Sequence, residues 1–269
     1  LISEKLNIFN MASLNFTTFS NVINGELRST ATTSHGINPA TKQPNPEVPV
    51  STQQDLDDAV AAARAAFPAW AKSTFEERQK ALTDYANAVL ANKEGFSKLL
   101  TQEQGKPLAA AQEEVFAGFY WLVEIAKMHV KDEVVEDTEE RQVVIRHTPL
   151  GVAAGIVPWN FPIHLALGKI GPAVITGNCI IIKPSPFTPY CDIKLVELAQ
   201  QFFPPGVVQV LSGDDSLGPW ITAHPGIDKI TFTGSTATGK KVMEVYKSHL
   251  YAIFDILRVS SRQRKLSSV

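Results

Sequence analysis

Three short stretches hold residue types that could do chemistry. Pro158-Trp159-Asn160-Phe161-Pro162 sets an asparagine between two aromatics and two prolines. Proline fixes its own φ and restricts its predecessor, so such a loop is stiff. A rigid side-chain amide in that position can donate to a developing oxyanion. The plainer alternative is a turn residue that satisfies its own backbone. Lys183-Pro184-Ser185-Pro186 follows an apolar run. A lysine at a strand end can donate to a ribose hydroxyl; its plainer role is a solvated surface cation. Phe232-Thr233-Gly234-Ser235-Thr236-Ala237-Thr238-Gly239 combines glycines and hydroxyls between an apolar run and a helical pattern. Glycines let backbone approach a phosphate, and a helix N-terminus offers free N–H groups to it. The plain reading is a tight strand-to-helix turn. The run nearly spells a nucleotide-hydrolase loop through Gly234, Gly239 and Lys240, but Lys241 stands where a Ser or Thr would hold magnesium. Gly213-Asp214-Asp215 is either the edge of a cofactor loop or a helix N-cap.

Other reactive types point to less. Cys179 and Cys191 are the two cysteines, too few for a disulfide framework, and they suit a reducing compartment. Cys179 lies in an apolar run, where a cysteine is usually a small hydrophobe. Cys191 precedes a helix, which could lower its pKa. The six histidines show no metal-ligand spacing, so no metal site is expected.

Regular elements must position these loops. Leu56, Ala59, Val60, Ala63 and Phe67 recur on one helical face. Ser73 and Glu76 form a plausible capping box for a second helix burying Leu82, Tyr85, Ala86, Val89 and Leu90. Gly105-Lys106-Pro107 reads as a turn, and a third long helix is expected over 112–131. From Arg141 the period changes. Strands are expected over 142–147, 152–157, 179–183, 207–211 and 228–233, with helices over 163–177, 192–201 and 216–223, and another from near Thr236. Apolar strands alternating with helices predict an α/β fold whose parallel sheet is covered by helices on both faces. Such sheets bind ligands at the carboxyl ends of their strands. Residues 21–50, rich in Pro, Asn, Thr and Gly, read as an irregular surface arm.

Composition narrows the class. The 269 residues are 44% hydrophobic and 19% charged, which excludes disorder, collagen and coiled coil. A formal charge of −2 does not argue for nucleic acid. No apolar run approaches the ~20 residues of a membrane span, and no signal peptide is read at the start, so a cytoplasmic protein is expected. The end differs: Lys247, Arg258, Arg262, Arg264 and Lys265 face the single acid Asp255 over 247–269. Leu250, Ile253, Phe254 and Leu257 could line one helical face there, as a core-packing helix, a non-native end or a membrane-surface helix.

The stretch from Thr148 to Met243 resembles the aldehyde dehydrogenase family. The resemblance rests on Gly151-Val-Ala-Ala-Gly-Ile-Val-Pro-Trp-Asn-Phe-Pro162, Lys169-Ile-Gly-Pro172, Gly177-Asn178, Lys183-Pro-Ser-Pro-Phe-Thr-Pro189, Phe203-Pro-Pro-Gly-Val-Val208 and Phe232-Thr-Gly-Ser-Thr236. It implies a Rossmann-like N-terminal domain over 21–246, after an extension at 1–20 and before the divergent tail at 247–269. Residues 131–149 would form part of the family's oligomerisation element. The implied activity is oxidation of an aldehyde to a carboxylic acid with NAD, or with NADP. Asn160 matches the oxyanion-stabilising asparagine, and Lys169 the lysine that assists proton movement near the catalytic channel. Ile156, Val157, Pro158 and Trp159 match the cofactor-lining strand end. Lys183 matches the adenosine-ribose ligand, Gly213 the glycine under the adenine and Ser235 the serine on the pyrophosphate. Ser185, Thr233 and Gly234 complete the implied cofactor set.

Two departures matter. Many family members carry Glu three residues after the lysine matched by Lys183; here Pro186 stands there, which leaves NAD against NADP open, with NAD preferred. The stretches that carry the family's nucleophilic cysteine and its water-activating glutamate are not found. The chain therefore reads as a cofactor-binding half, inactive alone, whose partners are a dinucleotide and, in a full-length homo-oligomer, an aldehyde. The alternative is a non-catalytic dinucleotide-binding or subunit-pairing module.

Overall fold

A computed structural model describes residues 14–246; the expected basic tail and most of the expected N-terminal extension lie outside the described residues. The chain opens with β1 (Asn21–Ile23), β2 (Glu26–Arg28), β3 (Thr33–Ser34) and β4 (Val48–Pro49). Four helices follow: α1 (Gln53–Lys72), α2 (Phe75–Ala91), α3 (Lys93–Gln104) and α4 (Leu108–Ile125). An antiparallel hairpin, β5 (Glu133–Asp137) and β6 (Gln142–Ile145), leads to the alternating part. That part runs β7 (Val152–Ile156), α5 (Pro162–Ile175), β8 (Cys179–Lys183), α6 (Tyr190–Ala199), β9 (Val208–Val210), α7 (Leu217–Ala223), β10 (Lys229–Phe232) and α8 (Thr236–Tyr246).

The six-stranded sheet has the order β10-β7-β8-β9-β1-β2. Its first four strands are parallel, and β1 pairs antiparallel with β9. Helices α5 and α6 cover one face, with α2, α3 and α4 packed outside them; α1 and α7 cover the other. Both faces being covered explains why every residue of β8 is buried and why its sequence is continuously apolar up to Lys183. The chain lays down β7, β8 and β9 in one direction, then crosses back to place β10 on the far side of β7. That reversal makes a switch point between β7 and β10, where ligands of open parallel sheets bind.

Several expectations are corrected. The capping box of α2 is Thr74 with Glu77, not Ser73 with Glu76. Both pairs have the right spacing, but Ser73 closes α1 by donating its N–H to the Trp70 carbonyl. Leu90 is only half-buried, and Ala88 takes its place in the core. The long helix expected over 112–131 is α4, starting at Leu108 and ending at Ile125. Residues 21–50 are not merely a surface arm. Val22 and Ile23 are fully buried because β1 extends the main sheet. Among the described residues no helix is long and apolar enough to cross a membrane, and no His, Cys, Asp and Glu cluster could hold a metal.

Candidate functional site

Strand register gathers the chemistry-bearing loops on one edge. Ile156, the last residue of β7, lies opposite Lys183 of β8 and Phe232 of β10. Ile182 lies opposite Val210, so β9 ends at the same level. The loops at 157–161, 184–186, 211–214 and 233–235 therefore all leave from the carboxyl ends of parallel strands. Val157 prolongs the pairing by donating its N–H to the Lys183 carbonyl at 3.0 Å. Beyond it Trp159, Asn160 and Phe161 are exposed, before Pro162 starts α5.

Asn160 is anchored through its backbone. Its carbonyl accepts from Gln104 Nε2 and Lys106 Nζ, each at 3.1 Å. Its side-chain Oδ1 accepts the Phe161 N–H at 3.1 Å, and the amide nitrogen carries two donors that a ligand can use. Lys169 approaches the switch point from α5. It is buried, and Nζ donates to Thr233 Oγ1 at 2.7 Å, just past β10. Gly155 makes room for it: an added Cβ would lie 2.9 Å from Ile182 Cδ1 and 3.1 Å from Lys169 Cδ.

The β8 side supplies a second cation. Lys183 is 7% exposed, and Nζ donates to the Pro184 carbonyl at 3.1 Å. Burial lowers its pKa, with Asp215 and Asp214 acting against the shift. An ammonium carries three donors, so this one can also serve a hydroxyl ligand. Ser185 is buried and accepts the Phe187 N–H at 3.3 Å. Gly213 is buried beside Leu217, whose Cδ2 would lie 3.0 Å from an added Cβ.

The β10 turn ends in a helix start. Ser235 caps α8: its Oγ accepts the Thr238 N–H at 3.1 Å and its carbonyl accepts the Gly239 N–H at 2.9 Å, so the N–H groups of Thr236 and Ala237 are the ones the helix start can offer a ligand. Gly234 permits that turn, since an added Cβ would lie 2.6 Å from Phe232 Cζ. A helix N-terminus with a neighbouring hydroxyl suits a phosphate group. The edge thus offers a buried cation at Lys183, a helix start at Ser235 and a side-chain amide at Asn160, donor groups of the kind that could hold the ribose and pyrophosphate of a dinucleotide.

The structure separates these residues into two groups. Ile156, Val157, Pro158, Trp159, Asn160, Lys169, Thr233, Gly234 and Ser235 flank the switch point; Lys183, Ser185 and Gly213 lie across β8 and β9. Both cysteines stand apart. Cys191 is inside the first turn of α6, fully buried, and burial beside the Glu103 carboxylate pushes its thiol pKa well up rather than down. Burial pushes Cys179 up to about 12. Sequence reading missed Gln104, Lys106 and Glu114. Gly105-Lys106-Pro107 carried a turn signal alone, and the contact with Asn160 joins residues more than fifty positions apart.

The sequence profile of the aldehyde dehydrogenase family matches residues 27–254, past the Met243 at which the motif resemblance was expected to stop. The putative aldehyde dehydrogenase FUS7 of Gibberella fujikuroi is 48% identical over 230 residues, covering 86% of this chain and 50% of that protein. An NADP-dependent enzyme of E. coli superposes with a TM-score of 0.86 at 29% identity, over 91% of this chain and 52% of that one. Betaine aldehyde dehydrogenase from Staphylococcus aureus in complex with NAD+ superposes with a TM-score of 0.85 at 28% identity, over 90% of this chain and 50% of that one. The chain spans about half the length of these relatives.

Proposed function

The chain belongs to the aldehyde dehydrogenase family, and we propose that its described residues form the dinucleotide-binding and oxyanion-stabilising part of an enzyme that oxidises an aldehyde to a carboxylic acid. The observation that carries this reading is the register of Ile156, Lys183 and Phe232, which puts every loop with a candidate ligand on one edge of the sheet. A dinucleotide held there would supply hydride acceptance, chemistry that belongs to the cofactor and not to these side chains. Lys183 donates to the hydroxyls of the adenosine ribose. Gly213 leaves space for the adenine, with Ser185 in the adjoining loop. Ser235, Gly234 and the start of α8 hold the pyrophosphate. Ile156, Val157, Pro158 and Trp159 line the nicotinamide side. Asn160 Nδ2 donates to the oxyanion that forms when a thiolate adds to the aldehyde carbonyl. Lys169 assists proton movement during the reaction; its hydrogen bond to Thr233, just past β10, supports this reading.

The thiolate itself is not Cys179 or Cys191. Nucleophilic cysteines need an exposed, electropositive setting, and both thiols here are buried and held protonated. A polypeptide of these 269 residues alone therefore binds dinucleotide and does not turn over aldehyde. NAD+ is the proposed cofactor. Pro186 supplies no carboxylate to reject a 2′-phosphate, so NADP+ is the comparison to make. Fluorescence titration with each dinucleotide, followed by addition of aldehyde, tests the reading. Saturable binding without aldehyde-dependent absorbance at the reduced-nicotinamide band is expected. A folded chain with no affinity for either dinucleotide, or one that reduces NAD+ steadily, contradicts it.

A second observation supports subunit pairing. Val134, Val135, Val143, Val144 and Ile145 of the β5–β6 hairpin are all exposed, Val134 and Val144 as a cross-strand pair, and so many exposed apolar side chains on one hairpin support a protein contact there. We assign 131–149 to an oligomer interface, checked by sedimentation of the chain with and without Val143→Ser and Ile145→Ser. Two free thiols support a reducing compartment, and we place the protein in the cytoplasm.

A further inference from the structure

We propose that Lys106, held in place by Glu114, is a positioning residue that fixes the direction of the Asn160 amide; the inference rests on the reading of Asn160 as oxyanion donor. Helix α3 ends at Gln104, and Gly105 reverses the chain at φ +80°, donating its N–H to the Thr101 carbonyl at 2.9 Å. Only glycine takes that conformation without strain. An added Cβ would in any case lie 2.6 Å from Pro39 Cγ. The reversal brings the side chains on either side of Gly105 to one target. Gln104 Nε2 and Lys106 Nζ both donate to the Asn160 carbonyl at 3.1 Å.

Lys106 is itself held from three directions. Its Nζ pairs with the Glu114 carboxylate, with side-chain exposures of 10% and 1%. It lies 3.8 Å from the centroid of the Phe161 ring, a cation–π contact with the residue after Asn160. Glu114 in turn accepts the His164 N–H at 3.3 Å, in the first turn of α5. One buried ion pair thus ties the end of α3, the body of α4 and the start of α5 to the Asn160 peptide. A well-packed apolar pair could join α3 to α4 as stably, because burying two charges costs desolvation. It could not donate to the Asn160 carbonyl. With that carbonyl pinned and Oδ1 taken by Phe161, the amide has one orientation before substrate arrives. Preorganised donors of this kind need no rearrangement when charge develops.

The test uses backbone order parameters of the 269-residue chain. Pro158 and Pro162 have no N–H, so Trp159, Asn160 and Phe161 are the reporters of this loop. In the wild type they are expected near the rigid value of about 0.85. Lys106→Met removes the clamp but leaves Glu114 buried and unpaired, so Lys106→Met/Glu114→Gln is measured beside it as the variant that keeps the fold. In both, the three order parameters are expected to fall below about 0.6 while β7 and α5 stay rigid. Lys106→Arg, which keeps the cation and its donors, restores them. Rigid reporters in the folded double variant overturn the proposal. So does a loss spread evenly through β7 and α5, which would mean a merely structural pair. The reading of Asn160 fails separately: it would fall to an Asn160→Ala substitution that leaves aldehyde oxidation intact in an active assembly containing this chain.

Discussion

Lys183→Met separates binding from stability at a single residue. The ammonium is buried at the end of β8 and uses one donor on the Pro184 carbonyl at 3.1 Å. Methionine keeps an unbranched stem beside Gly218, whose added Cβ would lie 3.8 Å from Lys183 Cε, and removes the charge. A hydrogen bond from a charged group contributes roughly 1.5–3 kcal/mol. At about 1.4 kcal/mol per tenfold change, NAD+ should bind about 10- to 150-fold more weakly. Stability should move the other way or not at all. Burial holds the folded-state pKa below that of the unfolded chain, so the folded state binds fewer protons there. The resulting penalty is fully present below the folded pKa and fades as pH rises toward the unfolded one. At neutral pH the substitution removes that penalty. Isothermal titration calorimetry with NAD+ and urea denaturation of the same preparations measure both sides. An affinity within twofold of wild type in a folded variant refutes the assignment of Lys183. A weaker affinity accompanied by a less stable fold would show that Lys183 acts on the structure and not on the ligand.

Other substitutions probe the framework. Asn178 Oδ1 accepts the N–H groups of Leu150 and Gly151 at 2.6 and 2.9 Å, at the amino end of β7. Asn178→Ala leaves these donors unpaired and should cost about 2–4 kcal/mol in urea denaturation, with NAD+ affinity unchanged in the protein that remains folded. Glu103 is buried against the start of α6, accepting from the N–H groups of Tyr190 and Cys191, and burial raises its pKa to about 7. The folded state then binds more protons than the unfolded one between about pH 4.5 and 7, so this group lowers stability as pH rises across that window, by up to about 3 kcal/mol. Glu103→Gln should remove that part of the pH dependence in denaturation curves taken at pH 5, 6 and 7. Cys179 and Cys191 should both resist a thiol reagent at pH 8 in the folded chain and react together on unfolding; a fast-reacting thiol in the native state would contradict their exclusion as nucleophiles.

The sheet was readable because its residues signal it locally. Cys179–Lys183 is an apolar run bounded by Asn178 and Pro184, and the strand has those same ends. Pro162 and Gly177 bracket α5 for similar reasons. The placement of Lys183, Asn160 and Ser235 at strand ends was readable for the same reason: Lys183 closes β8, and Asn160 and Ser235 follow β7 and β10. Tertiary contacts were not. The burial of β1 depends on its pairing with β9, which lies nearly two hundred residues away. The break between α2 and α3 falls at Asn92, whose side chain bonds back to the Ala88 carbonyl, with no glycine or proline to mark it. Cys191 looked activated by its place before a helix. Its thiol is instead fully buried, and that burial, with the Glu103 carboxyl beside it, holds the pKa well above its ordinary value. The Lys106 clamp was hidden for the same reason as β1: its residues meet only in the folded chain.

The measurement closest to the central claim is the location of the bound dinucleotide. Backbone amide shifts should be followed while NAD+ is added to the 269-residue chain. The account predicts saturable shifts concentrated at 156–160, 183–186, 211–214 and 233–236, where the parallel strands end. No shifts at saturating NAD+ in a folded chain, or shifts concentrated at the opposite ends of the strands around Leu150, Asn178 and Asp228, would contradict it.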